Sequence, residues 1–195
     1  MSLASDAGRS HPLTVVCVGT DRSTGDSLGP LVGTMLSWGK FPGTVLGDLE
    51  SPVHAENLYD AVARLAGSHG LVLGVDACLG TRQEVGGVMV RAGPLRPGLG
   101  VKKKLLPIGD LYIAGVVNVG GFMEYMVLQN TRLSLVMRMA QAIASGILKA
   151  DALLRSGARA KDQPEPTLHE EAPILVVPGN DGLQSPLLQA FAHRR

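Results

Sequence analysis

Residues 13–38, LTVVCVGTDRSTGDSLGPLVGTMLSW, decide the fold. The run 13–18 is continuous, apolar and rich in β-branched residues, the composition of a strand covered on both faces of a parallel sheet. Residues 19–26 form a polar loop. From Ser27 the pattern changes, because an Asp or Ser cap and a proline tolerated in the first helical turn precede Leu31, Met35 and Leu36 on one face. A helix therefore follows the first strand directly.

Working outward, the alternation repeats: TVLGDL at 44–49 reads as a strand, HAENLYDAVARLAG at 54–67 as an amphipathic helix and LVLGVDA at 71–77 as a third strand. Strand, helix, strand, helix, strand implies right-handed crossovers and a parallel sheet. The rhythm breaks at VGGVMVRAG, 85–93, which follows a loop of about eight residues without a helix; so short a return makes this strand antiparallel. LYIAGVVNV at 111–119 is the fifth strand. A long helix closes the domain, with Asn130 or Thr131 as cap, Gly157 as stop, and Leu133, Val136, Met137, Ala140, Ile143, Ile147 and Leu154 recurring on one face. The fold class is thus α/β, a five-stranded, mostly parallel sheet with helices on both faces and the 85–92 strand alone antiparallel.

The 195 residues suit one domain, 13–156, between a flexible N-terminus at 1–12 and a charged, proline-bearing linker and tail at 157–195. Within that tail ILVV, between Pro173 and Pro178, is fit to add an edge strand or to dock a partner. A hydrophobic fraction of 45% excludes a disordered chain, and a net charge of +1 with few aromatics gives no footprint for nucleic acid. The apolar stretches 111–128 and 133–148 are interrupted by polar or charged residues, so no membrane span is expected, and no secretory leader is evident. The expected setting is the cytoplasm, with Cys17 and Cys78 as reduced thiols.

In open α/β sheets ligands bind beyond the carboxyl ends of the strands, where successive crossovers leave to opposite faces. Two acids emerge there: Asp26 ends the loop after the first strand and Asp76 stands at the end of the third. Two crossovers separate them, which brings their loops side by side. Each has a plainer reading, Asp26 as a helix cap and Asp76 as a turn former. The first loop lacks the GxxxxGK[ST] spacing of a phosphate cradle. His54 approaches the same rim from the loop after the second strand, and Cys78 with His54 would make a thiol alternative. His69 and Lys102 to Lys104 read as solvated, and the methionines of the long helix as core.

The strings CVGTDRSTGDSLGPLVG, ESPVHAENL, VDACLG and GVVNVGGFMEYMVLQNTRLSLVMRMA, spread over residues 13–150, closely resemble the YyaC family of sporulation proteins, to which spore-protease activity is ascribed. That family is similar in fold to the germination protease of spores and to the hydrogenase maturation endopeptidases, a resemblance that implies a three-layer α/β/α sandwich. Asp26 matches the aspartate of the germination protease's first-loop motif, and Asp76 matches the one in its DALA string, here DACL. The resemblance therefore implies that Asp26 and Asp76 are a catalytic pair in an aspartate-type endopeptidase of the sporulating cell or spore interior. Gly25, Ser27, His54, Asn118 and Glu124 are the expected substrate-binding positions, the turn at 25–27 offering backbone N–H groups to an oxyanion. The maturation endopeptidases have a third, histidine ligand for the nickel of their substrate, whereas no histidine occurs here between 70 and 168; no metal and no cofactor is expected. The expected partner is a peptide or protein substrate, with self-association left open. The alternative is a non-catalytic sporulation factor using the same crevice, or the sheet edges VGGVMV and ILVV, to hold an extended peptide.

Overall fold

The computed structural model describes residues 13–65, 70–97 and 106–156, together with the backbone of a two-residue strand at 175–176. The strands are β1 (Leu13–Cys17), β2 (Thr44–Leu46), β3 (Leu71–Gly80), β4 (Gly87–Ala92), β5 (Leu111–Val119) and β6 (Leu175–Val176). The helices are α1 (Leu28–Trp38), α2 (Leu58–Ala63), α3 (Glu124–Gln129) and α4 (Leu133–Arg155), with a single 3-10 turn at Gly25–Ser27. The sheet order is β2-β1-β3-β5-β4-β6. β2, β1, β3 and β5 are mutually parallel, and β4 alone opposes them, as its short connection requires. A sixth strand completes the edge, because β6 pairs antiparallel with β4 at Gly87 and Val88. The two segments read as alternative edges for a peptide partner thus pair with each other.

All five residues of β1 are buried, consistent with a central strand covered on both faces. On one face, Val15, Cys17, Leu73 and Val75 of the sheet meet α1 and α4 in the larger core. On the other, Val16 and Val18 meet Leu58 and Ala61 of α2, with Leu95 and Ile108 from the excursion between β4 and β5. The result is the three-layer α/β/α sandwich.

Several boundaries differ from expectation for local reasons. The second strand stops at Leu46 because Gly47 turns away at φ +89°, and a Cβ there would lie 2.0 Å from the Cys17 carbonyl oxygen. Residues 54–57 are a turn, so the second helix shrinks to Leu58–Ala63. The third strand runs on to Gly80, and Asp76 is consequently not its last residue. α3 was not expected: it is a short helix entered through left-handed Met123 and without a buried residue, hence without an apolar stripe to announce it. Its presence displaces the start of α4. Asn130 and Thr131 give their side chains to Met126 and Val127 of α3 instead of capping α4. The buried stripe of α4 is Val136, Met139, Ala140, Ile143, Ala144 and Ile147, while Leu133 (57% exposed) and Leu154 (70%) project past the layer they were expected to join. By length and composition α4 is apolar enough to cross a membrane, contrary to the expectation for 133–148; in the fold its apolar stripe faces α1 and the sheet. The expected terminal segment 1–12, the linker and tail from Gly157 onward apart from β6, His69 and Lys102 to Lys104 lie outside the described residues.

Candidate functional site

The site begins where β1 ends. Val18 donates its N–H to the Val75 carbonyl at 2.8 Å, the last rung of the β1–β3 ladder. The next residue, Gly19, turns its N–H the other way, to the Val53 carbonyl at 2.8 Å. Thr20 N–H then bonds the Asp26 carbonyl at 3.1 Å and closes the loop on itself. Gly19 adopts φ +141°, and a Cβ built on it would stand 2.0 Å from the Asp26 carbonyl oxygen. Only glycine lets the turn carrying Asp26 press so closely on the exit of β1.

Asp26 is half-buried at the centre of the 3-10 turn. The capping reading does not hold, since neither the turn nor α1 has a side-chain cap at its start. Asp76 lies one residue beyond Val75, where β1 has left and β3 continues beside β5 alone. Its Oδ1 accepts the Ala77 N–H at 2.8 Å, so Oδ2 is the oxygen left to carry a proton or meet a ligand. Burial pushes the Asp76 carboxyl well above the usual carboxylate range, the charge of Asp26 pushes it further, and the Ala77 amide opposes both only in part. Asp26 is also raised, by burial, but the Thr20 amide and the His54 imidazole pull it back. Burial therefore raises both acids, and the charge of Asp26 adds to the shift of Asp76.

His54 reaches this rim through the bridge between Val18 and Val53. Its N–H donates to Asn57 Oδ1 at 2.8 Å, Asn57 Nδ2 donates back to the Pro52 carbonyl at 2.9 Å, and the Glu56 N–H points at His54 Nδ1 at 3.3 Å. Nε2 takes no part in these bonds. Asn57, which clamps this turn, was not singled out from the sequence; an asparagine at a helix start carries no signal of its own.

The remaining expected positions are tied into the fold as follows. Gly25 is buried with Leu128 and Thr131 within 3 Å of where its Cβ would be, and Ser27 Oγ donates to the Thr24 carbonyl at 2.7 Å. Asn118 Nδ2 donates to Thr131 Oγ1 at 3.2 Å and to the Val127 carbonyl at 3.3 Å, while its Oδ1 accepts the Val119 N–H at 2.8 Å. It fastens β5 to the α3–α4 corner. Asn118 also lines a cavity of about 610 Å³ at the exit of β5, walled by Arg82, Val119, Phe122, Met126 and Asn130. Glu124 stands at the start of α3, its Oε1 3.8 Å from the place a Cβ on Gly120 would take. Neither aspartate lines this cavity. The structure thus gathers Asp26, Asp76 and His54 at one place, and Asn118 and Glu124 at the next strand exit.

The thiol alternative fails on electrostatics. Burial, Asp76 and Glu84 push the Cys78 thiol up to about 12, so the nucleophilic thiolate is scarce at neutral pH. Cys17 is sealed in the core and shifted the same way. In the first loop Ser23 Oγ is buried and has no hydrogen-bond partner among the described residues. No group of three His, Cys, Asp or Glu side chains placed to hold a metal ion occurs among them.

The uncharacterized protein YyaC of Bacillus subtilis (strain 168) is 52% identical over 153 residues, 77% of this chain and 74% of that one. Among solved structures the chain is similar to the [NiFe] hydrogenase maturation protease HycI of Thermococcus kodakarensis KOD1, with 19% identity, a TM-score of 0.49, and coverage of 75% of this chain and 93% of that one. It is also similar to a peptidyl-tRNA hydrolase of Acinetobacter baumannii, with 13% identity, a TM-score of 0.44, and coverage of 78% and 92%. Likenesses so distant carry no reaction from those proteins to this one. Residues 2–146 match the protein family of unknown function DUF1256, and the chain belongs to that family.

Proposed function

We propose that the Asp26–Asp76 pair hydrolyses a peptide bond in a protein substrate of the sporulating cell, in its cytoplasm or that of the spore. One observation carries the reading: β1 ends one residue before Asp76 on the neighbouring strand, so the Asp26 turn sets a second acid against a half-buried one. The resemblance of the first loop and of DACL to the germination protease supports it. Geometry suggests the roles: with Oδ1 of Asp76 held by the Ala77 N–H, its Oδ2 donates a proton to the carbonyl oxygen, while Asp26 takes a proton from the attacking water. The tetrahedral gem-diol collapses as one hydroxyl returns its proton to Asp76 and the carbonyl reforms, while the C–N bond breaks and the proton held by Asp26 passes to the leaving amine.

A specific observation keeps a second reading in view. The cavity at the β5 exit excludes both acids, which is the arrangement of a peptide-holding module whose recognition does not involve the pair. Digestion of a sporulating-cell protein extract distinguishes the two. New termini mapped by mass spectrometry should appear with the wild type and vanish with Asp76→Asn and with Asp26→Asn. The same new termini from all three proteins would remove the dyad.

A further inference from the structure

Asp26 sits between two anchors. On one side the Thr20 N–H holds its carbonyl, and Gly19 presses against the same oxygen. On the other stands Gly25, where a Cβ would lie 2.9 Å from Leu128 Cδ2, 2.9 Å from Thr131 Oγ1 and 3.0 Å from the Leu128 carbonyl oxygen. The 25–27 turn has no side-chain cap at its start, so on that side its seat is packing against the corner between α3 and α4.

Thr131 is the hub of that corner. It is buried, and its hydroxyl donates to the Val127 carbonyl at 2.9 Å while accepting Asn118 Nδ2 at 3.2 Å. Asn118 Nδ2 also reaches the Val127 carbonyl, at 3.3 Å, so β5, α3 and the approach to α4 meet around one oxygen. The two bonds fix the rotamer of Thr131, and with it the place where Oγ1 meets Gly25. Asn118 and Val127 are also walls of the β5-exit cavity, so one corner borders the cavity and supports the acid-bearing turn. The plainer reading is that the Thr131 hydroxyl only closes α3. That duty is already met, since the Asn130 N–H and Nδ2 both donate to the Met126 carbonyl, at 3.0 and 2.8 Å.

We infer that Thr131 is a positioning residue for Asp26, its Asn118-bound hydroxyl setting where the 25–27 turn, and the carboxyl it carries, stands. The consequence for catalysis rests on the role proposed for Asp26; the placement does not. Charge reaches Asp26 from His54, and Asp26 in turn acts on Asp76 of β3. Of the helices packed on the turn, α1 has no charged residue, α3 opens with Glu124, and Arg132 precedes α4. Thr131 and Leu128 are neutral, so what they govern is the position and burial of Asp26.

The test separates the hydroxyl from its shape. Thr131→Val sets a methyl, bulkier than oxygen and without either bond, where Oγ1 meets Gly25, whereas Thr131→Ser keeps the hydroxyl. Carbon-13 NMR of the Asp26 carboxyl, followed through its titration in the full-length protein, reads placement through burial, the largest cause of its raised value. In Thr131→Val the midpoint should fall toward 3.8 by about half a pH unit or more, and in Thr131→Ser it should stay within about 0.2 of the wild type. Leu128→Ala, at a half-buried position, empties the space beside Gly25 and should move the midpoint the same way; it carries the test if Thr131→Val does not fold. Lost stability alone leaves the titration of a folded carboxyl where it was. An unchanged midpoint in Thr131→Val, or in Leu128→Ala where that variant replaces it, would overturn the inference, as would Thr131→Ser displaced as far as Thr131→Val. If the midpoint moves in Thr131→Val while peptide cleavage keeps its kcat, the hydrolytic role of Asp26 fails and its placement by Thr131 stands.

Discussion

The ends of β3 and β5 lie side by side in the sheet and are built in opposite ways. Beyond β1, the chain around Asp26 and Asp76 is tied down by backbone bonds from Val18, Gly19 and Thr20, and its charged groups are half-buried and coupled. At the end of β5 the polar side chain, Asn118, is already engaged within the fold, and the apolar ones stand open. Buried, preorganised charge is the setting for proton transfer, whereas open apolar surface is the setting for recognition. On the proposed reading the exit of β3 would supply chemistry and the exit of β5 recognition, the two joined where Gly25 packs against Leu128 and Thr131.

The largest expected effect is on chemistry. Asp76→Asn keeps the size of the side chain and an Oδ1 to accept the Ala77 N–H, yet removes the proton donor. Cleavage of an identified substrate should fall by roughly 10²–10⁴-fold, the usual contribution of a general acid, measured as kcat/KM. Phe122→Ser, at the other exit, should raise KM and leave kcat within about a factor of two, since an interaction equal in ground and transition states is lost. A fall in kcat for Phe122→Ser as steep as that for Asp76→Asn would merge the two regions into one site.

Next is the stability of the acid-bearing turn. Gly19→Ala meets both a positive φ and the Asp26 carbonyl at 2.0 Å, so it should cost about 2–4 kcal/mol in chemical denaturation, combining backbone strain with a forced shift. Asn118→Ala strikes the other exit and should cost less, about 1–2 kcal/mol, for bonds lost at a half-buried amide. If the order were reversed, the Asp26 turn would be the looser of the two regions.

The same contrast shows what the sequence makes legible. Strong periodic signals, such as the apolar run at 13–18 and the stripe of α4, placed the sheet, its one antiparallel strand and most of the core. Crossover topology alone places the loop carrying Asp26 beside the end of the strand carrying Asp76, and the charge of Asp26 acts on Asp76 in the fold. Short elements were illegible because their cause is tertiary. α3 has no buried face of its own, and the bonds of Asn130 and Thr131 to it decide where α4 can start. Gly25 and Ser27 were expected at the site for their backbone N–H groups, while their surroundings, Leu128 against Gly25 and a Ser27 Oγ bond to Thr24, depend on contacts no motif encodes. Arg82, Phe122 and Met126 form a cavity only through the juxtaposition of two loops, and nothing in their local sequence announces it.

The smallest effect is also the most direct reading of the coupling between the acids. Because the Asp76 carboxyl is raised in the folded protein above its ordinary value of 3.8, the folded state binds its proton more tightly than the unfolded chain does. The resulting stabilisation is fully present below the unfolded value and is lost as pH rises through the folded one. At neutral pH the wild type therefore holds an unfavourable charge, or keeps a proton against the solution, whereas Asp76→Asn is neutral at every pH. The variant should be as stable as the wild type or more so at neutral pH, and the gap between them should close as the solution is acidified toward 3.8. Acid unfolding driven by other carboxylates is common to both proteins and cancels in the difference. Combining Asp76→Asn with Asp26→Asn isolates the mutual term, since each acid should be easier to ionise once the other is neutral. Denaturant midpoints for the four proteins, measured between acidic and neutral pH, decide the matter. A gap independent of pH would mean that Asp76 titrates as an ordinary surface acid, and strictly additive substitutions would mean that the two carboxylates do not sense each other.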